Sequence, residues 1–249
     1  MPDQYDYVAD KYDSFMEATP FRPYVEAFTF FNVVGDVTDL NILDLATGTG
    51  SYARAVTKRG AKSVTGIDLS KEMVALAQHA EIDDPLGIHY EVGDATQFKM
   101  EQPVDLAIAV YLLHYSPTEE YLQSMCSNIA SNLSSGGRFV TYLVNPKIST
   151  QQDYYEKYGL FVRTKPTHET NGEKVVVQLD LGGEFTPEIT FYRWNKETIE
   201  KALEKAGFKS IRWVDPLLSP RWDGTEGDLD HFDDYLAVPH ALVLECEKA

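Results

Sequence analysis

One stretch limits what this chain can become: Asn41-Ile42-Leu43-Asp44-Leu45-Ala46-Thr47-Gly48-Thr49-Gly50-Ser51-Tyr52-Ala53. An apolar run reads as a buried strand, breaks at two glycines two residues apart, and resumes as a helix. Strand, glycine-rich turn and helix start, in that order, make a nucleotide-binding corner. The glycines admit a ligand close to the backbone, and the first helical turn offers N–H groups that lack intrahelical partners. What flanks the corner decides which nucleotide.

The flanks alternate strand and helix. Residues 41–46 form a first strand and 51–59 a helix that Gly60 stops. Residues 63–68 form a second strand ending in Asp68, after which Ser70 caps a helix with Met73, Val74, Leu76 and Ala77 on its inner face. A third strand runs from Ile88 to Val92, and a fourth, strongly apolar, from Val104 to Tyr111. A helix fills roughly 118–133, and Gly136-Gly137 turns into a fifth strand from Arg138 to Val144. Continuous apolar strands between helices predict a parallel, doubly wound sheet covered on both faces.

The pattern changes after Pro146. Val175–Leu181 and Glu188–Trp194 are β-rich runs on either side of Gly182-Gly183, and they read as a long antiparallel pair inserted into the alternation. Asn195 caps a helix to about Lys205, Gly207 ends it, and Ile211–Val214 and Ala241–Glu247 are the last strands. At the other end, Tyr5, Val8 and Tyr12 recur at helical spacing within residues 3–16. That stripe either docks the helix on the core or makes it a lid that carries hydroxyls to a ligand. A second helix is predicted from about Tyr24 to Val34.

Composition narrows the function classes. The formal net charge is −17 over 249 residues, and an acidic surface repels a phosphate backbone, so a nucleic-acid substrate is disfavoured. No apolar run approaches the roughly 20 residues of a membrane helix, and the acidic start lacks the basic and apolar regions of a signal peptide, so a cytoplasmic location is the expectation. Cys126 and Cys246 have no motif spacing and read as buried free thiols. No cluster suggests a metal.

Gly48-Thr49-Gly50-Ser51-Tyr52-Ala53 fits the dinucleotide fingerprint, and Asp68 lies where an acid would meet a ribose hydroxyl, so a nicotinamide cofactor and an oxidoreductase must be weighed. Four features point elsewhere. Asp44, in the strand itself, suits a cationic ligand group better than a pyrophosphate. Leu69 follows Asp68 and is placed to cover a purine. Asp94, in Gly93-Asp94-Ala95, can accept from an adenine amine. The C-terminal order of helix, strand, long loop and strand suits a sheet closed by one antiparallel hairpin.

Together these residues resemble the class I S-adenosylmethionine-dependent methyltransferases. The resemblance rests on Leu43–Gly50, on Gly66-Ile67-Asp68-Leu69-Ser70 with Met73, on Gly93-Asp94-Ala95 and on Asn132–Arg138; it is strong over 41–146 and extends to the order of elements over 192–247. Ala46-Thr47 stands where the family often has Gly-Cys, a change between small residues. The resemblance implies a Rossmann-like α/β fold, with a doubly wound seven-stranded sheet, an antiparallel last strand, an inserted β-hairpin and an N-terminal helical lid. It divides a single domain, 1–249, into a lid (1–36), a cofactor-binding core (37–146), an inserted cap (147–194) and C-terminal core strands (195–249).

The resemblance also implies the donor, S-adenosyl-L-methionine, with S-adenosyl-L-homocysteine as product, and residues to hold it. Asp44, Ala46 and Gly48 would hold the methionine amino group, and Gly50 would let the chain pass the sulfonium. Asp68 would accept from the ribose hydroxyls. Leu69 and Met73 would sandwich the adenine, with Asp94 and Ala95 at its edge. Val110 and Tyr111 would border the methyl, while Tyr5, Tyr12 and Arg22 would approach the carboxylate from the N-terminal segment.

Methyl transfer from a sulfonium is an in-line displacement that chiefly needs a held nucleophile and a dry site. The acceptor belongs near Tyr111-Leu112-Leu113-His114-Tyr115. His114 is the titratable group suited to act as base there, and a histidine packed into the strand-to-helix turn is the competing reading. Tyr111 and Tyr115 would orient the acceptor, and Tyr192, Trp194 and Trp222 would add an aromatic wall for a flat compound. Tyr111–Tyr115, Pro85–Ile88 and Phe191-Tyr192-Arg193-Trp194, among other stretches, are similar to small secondary-metabolism enzymes of the toxoflavin-pathway N-methyltransferase type. That similarity implies a nitrogen heterocycle, and the expected reaction is the N- or O-methylation of a small planar heterocycle or aromatic compound. A non-catalytic, methyltransferase-like partner protein is the reading from another class. The expected partners are a small-molecule acceptor, with no nucleic acid and no membrane, in a monomer or homodimer.

Overall fold

The computed structural model describes residues 5–6, 19, 21–149, 151, 153–158, 160–162, 170–179, 188–224 and 228–249. Seven strands form the central sheet: β1 (Asn41–Leu45), β2 (Ser63–Asp68), β3 (His89–Val92), β4 (Val104–Val110), β5 (Leu133–Val144), β9 (Phe208–Val214) and β10 (Ala241–Lys248), in the order β3-β2-β1-β4-β5-β10-β9. β1 to β5 pair in parallel, while β10 runs antiparallel to both β5 and β9.

Side chains of successive residues in a strand point to opposite faces, and β1 shows it. Ile42 joins a cluster with α1 (Ala27–Val34), α2 (Ser51–Thr57) and α3 (Lys71–Asp83); Leu43 and Leu45 join the opposite cluster with α4 (Glu119–Asn132) and α5 (Lys196–Lys205). In β4, Leu106 and Ile108 face the first cluster, and Ala107 and Ala109 the second. Each fully buried Leu or Ile contributes about 1.5–3 kcal/mol relative to exposure. Both covers are therefore needed, and this is why these strands read as predominantly apolar.

Side-chain caps start three helices. Ser70 Oγ accepts from Met73 N–H at 3.2 Å, Thr118 Oγ1 from Tyr121 N–H at 3.2 Å, and Asn195 Oδ1 from Thr198 N–H at 2.8 Å. Before α1 the chain makes a turn of π-helix, Arg22–Glu26, where a plain helix from Tyr24 was expected. Cys126 and Cys246 are buried and unbridged.

The inserted β-rich runs pair as expected. β7 (Glu173–Leu179) and β8 (Glu188–Arg193) are antiparallel, with Val175 opposite Phe191, and β6 (Leu160–Val162), which was not expected, adds a third strand. Gly182-Gly183 and the helix expected over 3–16, apart from Tyr5 and Asp6, lie outside the described residues. An aromatic cluster of Phe21, Tyr155, Tyr158, Phe191, Phe232 and Tyr235 packs where β8 and the loops beyond β5 meet. Trp222 belongs to this cluster. It is buried, with its ring 5.0 Å from Tyr24 and 4.9 Å from Phe232. Strand order reverses between β1 and β4, and open α/β sheets bind ligands in the crevice at such a switch point.

Candidate active site

A cavity of about 340 Å³ opens at the C-terminal ends of β1, β2 and β4. Gly48 and Ala46 border it from the glycine loop, and Asp68, Leu69 and Met73 from the end of β2 and the start of α3. Gly93, Asp94 and Ala95 border it from the turn after β3. Val110, Tyr111, Leu112 and Tyr115 border it from the segment after β4. Tyr5, Tyr121, Met125, Thr190 and Tyr192 complete the wall.

The loop is coiled by three left-handed residues, Ala46 (φ 56°), Gly48 (φ 57°) and Gly50 (φ 86°). A Cβ placed on Gly48 would meet nothing within 4 Å, so this glycine faces the cavity. Gly50 does not. A Cβ there would stand 2.8 Å from Tyr90 Cζ, so the glycine makes room for a buried tyrosine rather than for a ligand. This corrects the expectation that Gly50 passes the sulfonium.

Asp68 holds the loop. Gly48 N–H donates to Oδ2 at 2.8 Å, and Ser70 N–H to Oδ1 at 2.9 Å. A carboxylate accepts about four such bonds, so the same oxygens can receive two vicinal hydroxyls. Leu69 is 54 % exposed at the cavity edge, whereas Met73 is buried beneath it. Asp94 also caps its own turn: Oδ1 accepts from Thr96 N–H at 2.8 Å and from Thr96 Oγ1 at 2.7 Å.

Asp44 lies behind the loop, buried, and does not line the cavity. Thr47 Oγ1–H donates to its Oδ2 at 2.7 Å. Burial raises its carboxyl to about 7, with Thr47 opposing the shift. Near neutrality it is therefore only partly charged, and the charge argument against a pyrophosphate loses its force.

His114 is displaced from its expected place too. It is buried beside Tyr115, with ring centroids 4.4 Å apart, and is not among the lining residues. Among the described residues its Nδ1 has no hydrogen-bond partner, and burial holds the imidazole down to about 3. A base must bind its proton near the working pH, and this imidazole does not. Trp194 and Trp222 are not lining residues either: the Trp194 indole N–H donates to the Ser116 carbonyl at 3.0 Å, and Trp222 is packed in the aromatic cluster. Arg22 is buried 3.3 Å from Glu26 Oε1 and is not itself among the lining residues. Tyr12 lies outside the described residues.

At the cavity mouth, the Tyr5 and Tyr115 hydroxyls hydrogen-bond to each other, with the rings edge-on at 5.9 Å. Ser70 Oγ–H donates to Asp6 Oδ1 at 2.6 Å. Residues 5–6 therefore touch the wall after β2 and the wall after β4.

Sequence reasoning did not single out Gly93, Leu112, Tyr121, Met125 and Thr190 as site residues. Two signals were available. Tyr121 and Met125 are four apart on α4, and Thr190 and Tyr192 are two apart on β8, so each pair shares one face of its element. Nothing local pointed to Glu26, which joins residues far apart in the chain.

Residues 42–137 match the methyltransferase domain family. The ubiquinone biosynthesis O-methyltransferase of Coxiella burnetii is 29% identical over 106 residues, which are 42% of this chain and 44% of that protein. The chain therefore spans less than half the length of that curated relative. The demethylmenaquinone methyltransferase of Lactococcus lactis is 26% identical over 194 residues, 72% of this chain and 70% of the relative. In three dimensions, an S-adenosylmethionine-dependent methyltransferase from Mesorhizobium loti superposes with a TM-score of 0.66 at 21% identity, covering 94% of this chain and 100% of the other.

Proposed function

We propose that this chain, which belongs with the class I S-adenosylmethionine-dependent methyltransferases by its fold and its methyltransferase domain, moves a methyl group to a nitrogen or oxygen of a small planar acceptor. S-adenosylmethionine is its cofactor, and the residues present suit it. A Cβ-free position faces the cavity at Gly48, a carboxylate already fixed by two backbone donors stands at Asp68, and an exposed leucine lies beside it at Leu69. When bound, the cofactor supplies a methyl group activated by a cationic sulfur.

The chain supplies position. Asp68, Leu69 and Asp94 suit the adenosine end of the cavity, and Tyr111 at the end of β4 suits the methyl end. Tyr115, Tyr121, Thr190 and Tyr192 then form the acceptor wall. Aromatic side chains pack well on flat rings and exclude water, and holding a nucleophile near 3 Å in line with the breaking bond accounts for much of such a rate. With His114 neutral and behind the wall, acceptors that lose their proton readily or carry a free amine fit best.

One observation carries this reading: a single cavity joins the Gly48–Asp68–Asp94 side to the Tyr115–Tyr121–Tyr192 side. The Coxiella and Lactococcus relatives are named for quinone biosynthesis and for demethylmenaquinone, both of planar-ring chemistry, which supports a flat acceptor. Within that class, the likeness to the toxoflavin-type enzymes favours a nitrogen heterocycle. The test is to incubate the protein with methyl-labelled cofactor and a panel of N-heterocycles, phenols and hydroquinones. Label on a ring nitrogen or oxygen of one of them is expected. No transfer to any of them, with no cofactor binding by calorimetry, would sink the proposal.

A further inference from the structure

Behind the cavity lies a carboxylate with no exposure. Glu26 is fully buried, and groups from three separate parts of the chain converge on it. Tyr52, in the first turn of α2, donates to Oε1 at 2.8 Å. Tyr111, just past β4, donates to Oε2 at 2.5 Å. The Arg22 guanidinium lies 3.3 Å from Oε1, with its Cζ 5.7 Å from the centroid of the Tyr111 ring.

Counting hydrogens sets the direction of the network. Tyr111 has one hydroxyl hydrogen and gives it to a carboxylate, which can only accept. His240 Nε2, 2.9 Å from the Tyr111 hydroxyl, is then the donor, and Nδ1 accepts from the Tyr235 hydroxyl at 2.6 Å. This is the neutral tautomer, in keeping with burial, which holds His240 down to about 3. Every bond from Tyr235 through His240 and Tyr111 therefore points toward Glu26.

A buried ion pair adds little net stability, because desolvation offsets its attraction; apolar residues of the same volume often serve as well. Its contribution here is geometric. Tyr111 stands in the left-handed region, at φ 64°, which a bulky residue keeps only where its surroundings over-determine it. Those surroundings are Glu26 and His240 on the hydroxyl and the Tyr142 carbonyl, which accepts the Tyr111 N–H at 2.7 Å. Tyr111 borders the cavity on one side. Tyr52 sits two residues beyond Gly50, on the helix that continues the glycine loop on the other side.

We propose that Glu26 is a positioning residue: by gripping Tyr52 and Tyr111 together, it fixes the glycine loop and the end of β4 in the one register that holds the methyl donor. This rests on the cofactor reading above. The test is S-adenosylhomocysteine affinity, by calorimetry, for the wild type, Tyr52→Phe, Tyr111→Phe, the double variant and Glu26→Gln, with Tm measured alongside. The phenylalanines keep the rings and the Arg22–Glu26 pair, so the variants fold. Each single phenylalanine is expected to weaken binding on the order of tenfold. The double variant should lose less than the product of the two, because both act through one carboxylate, and Glu26→Gln, which keeps one acceptor oxygen, should fall between the wild type and the double. Lower Tm with unchanged affinity in both phenylalanine variants overturns the proposal while leaving the cofactor reading intact. A wild type that does not bind S-adenosylhomocysteine overturns both.

Discussion

The phenol of Tyr90 fills the space that a side chain on Gly50 would need, with its Cζ 2.8 Å from that position and its hydroxyl donating to the Gly50 carbonyl at 3.4 Å. Two glycines two residues apart thus do different things. Gly50→Ala should cost about 2–4 kcal/mol, from a left-handed backbone and a clash with a buried ring. Gly48→Ala carries the backbone cost alone, about 1–2 kcal/mol, but places a methyl group in the cavity. Thermal unfolding and cofactor calorimetry should separate them: Gly50→Ala falls mainly in stability, and Gly48→Ala mainly in affinity. The same ranking in both measurements would contradict these roles.

Asp68 accepts from Gly48 N–H and Ser70 N–H and faces the cavity. Asp68→Ala should weaken cofactor binding by about 1–3 kcal/mol, through the lost acceptors and a loosened loop. Asp68→Asn, which keeps one acceptor oxygen, should fall between. Calorimetry with S-adenosylhomocysteine checks the order, and equal affinity in all three proteins would refute the assignment.

His114 has a buried Nδ1 with no partner among the described residues, and an unsatisfied polar atom costs about 1–3 kcal/mol. His114→Leu should therefore leave stability unchanged or raise it. Once an acceptor is found, the shape of its rate–pH profile between pH 6 and 9 should survive the change, because an imidazole held down to about 3 does not titrate there. A lost inflection near neutrality would return His114 to the chemistry.

Three buried groups shape the acid limb of stability. Burial lowers His114 and His240 from 6.5 to about 3, so between those values the unfolded chain binds two protons that the folded chain refuses. Asp44, raised from 3.8 to about 7, acts in the opposite sense, since there the folded chain keeps a proton that the unfolded chain releases. From pH 4 to 6 the unfolded state is ahead by a net one proton. These groups should make stability rise with pH by roughly 1 kcal/mol per unit and level off above 7. Asp44→Asn removes the opposing group and should about double that slope in a Tm–pH series. An unchanged slope would show that Asp44 titrates as an ordinary carboxyl.

Much of the fold was legible because its signals are local. The strands at 41–45, 63–68 and 104–110, the caps at Ser70 and Asn195 and the pairing of the two inserted runs all follow from residues near one another. The errors share a different origin. Asp44 was read as facing a ligand, and it faces Thr47 behind the loop. Trp194 and Trp222 were read as cavity wall, and they pack into the core and the aromatic cluster. An aromatic or acidic residue carries the same local propensity at the wall of a cavity as one layer behind it.

The sequence by itself determined the class of sheet, the place of its glycine corner and the acid that ends β2, because strand periodicity, glycine backbone freedom and helix capping act over a few residues. Only the tertiary structure decided the depth and partners of each group. It set Tyr90 against Gly50, 40 residues away, and brought Arg22, Glu26, Tyr52, Tyr111 and His240 to one buried point. Burial, and with it the charge state of Asp44, His114 and His240, depends on what packs from distant parts of the chain, and no local pattern encodes that distance.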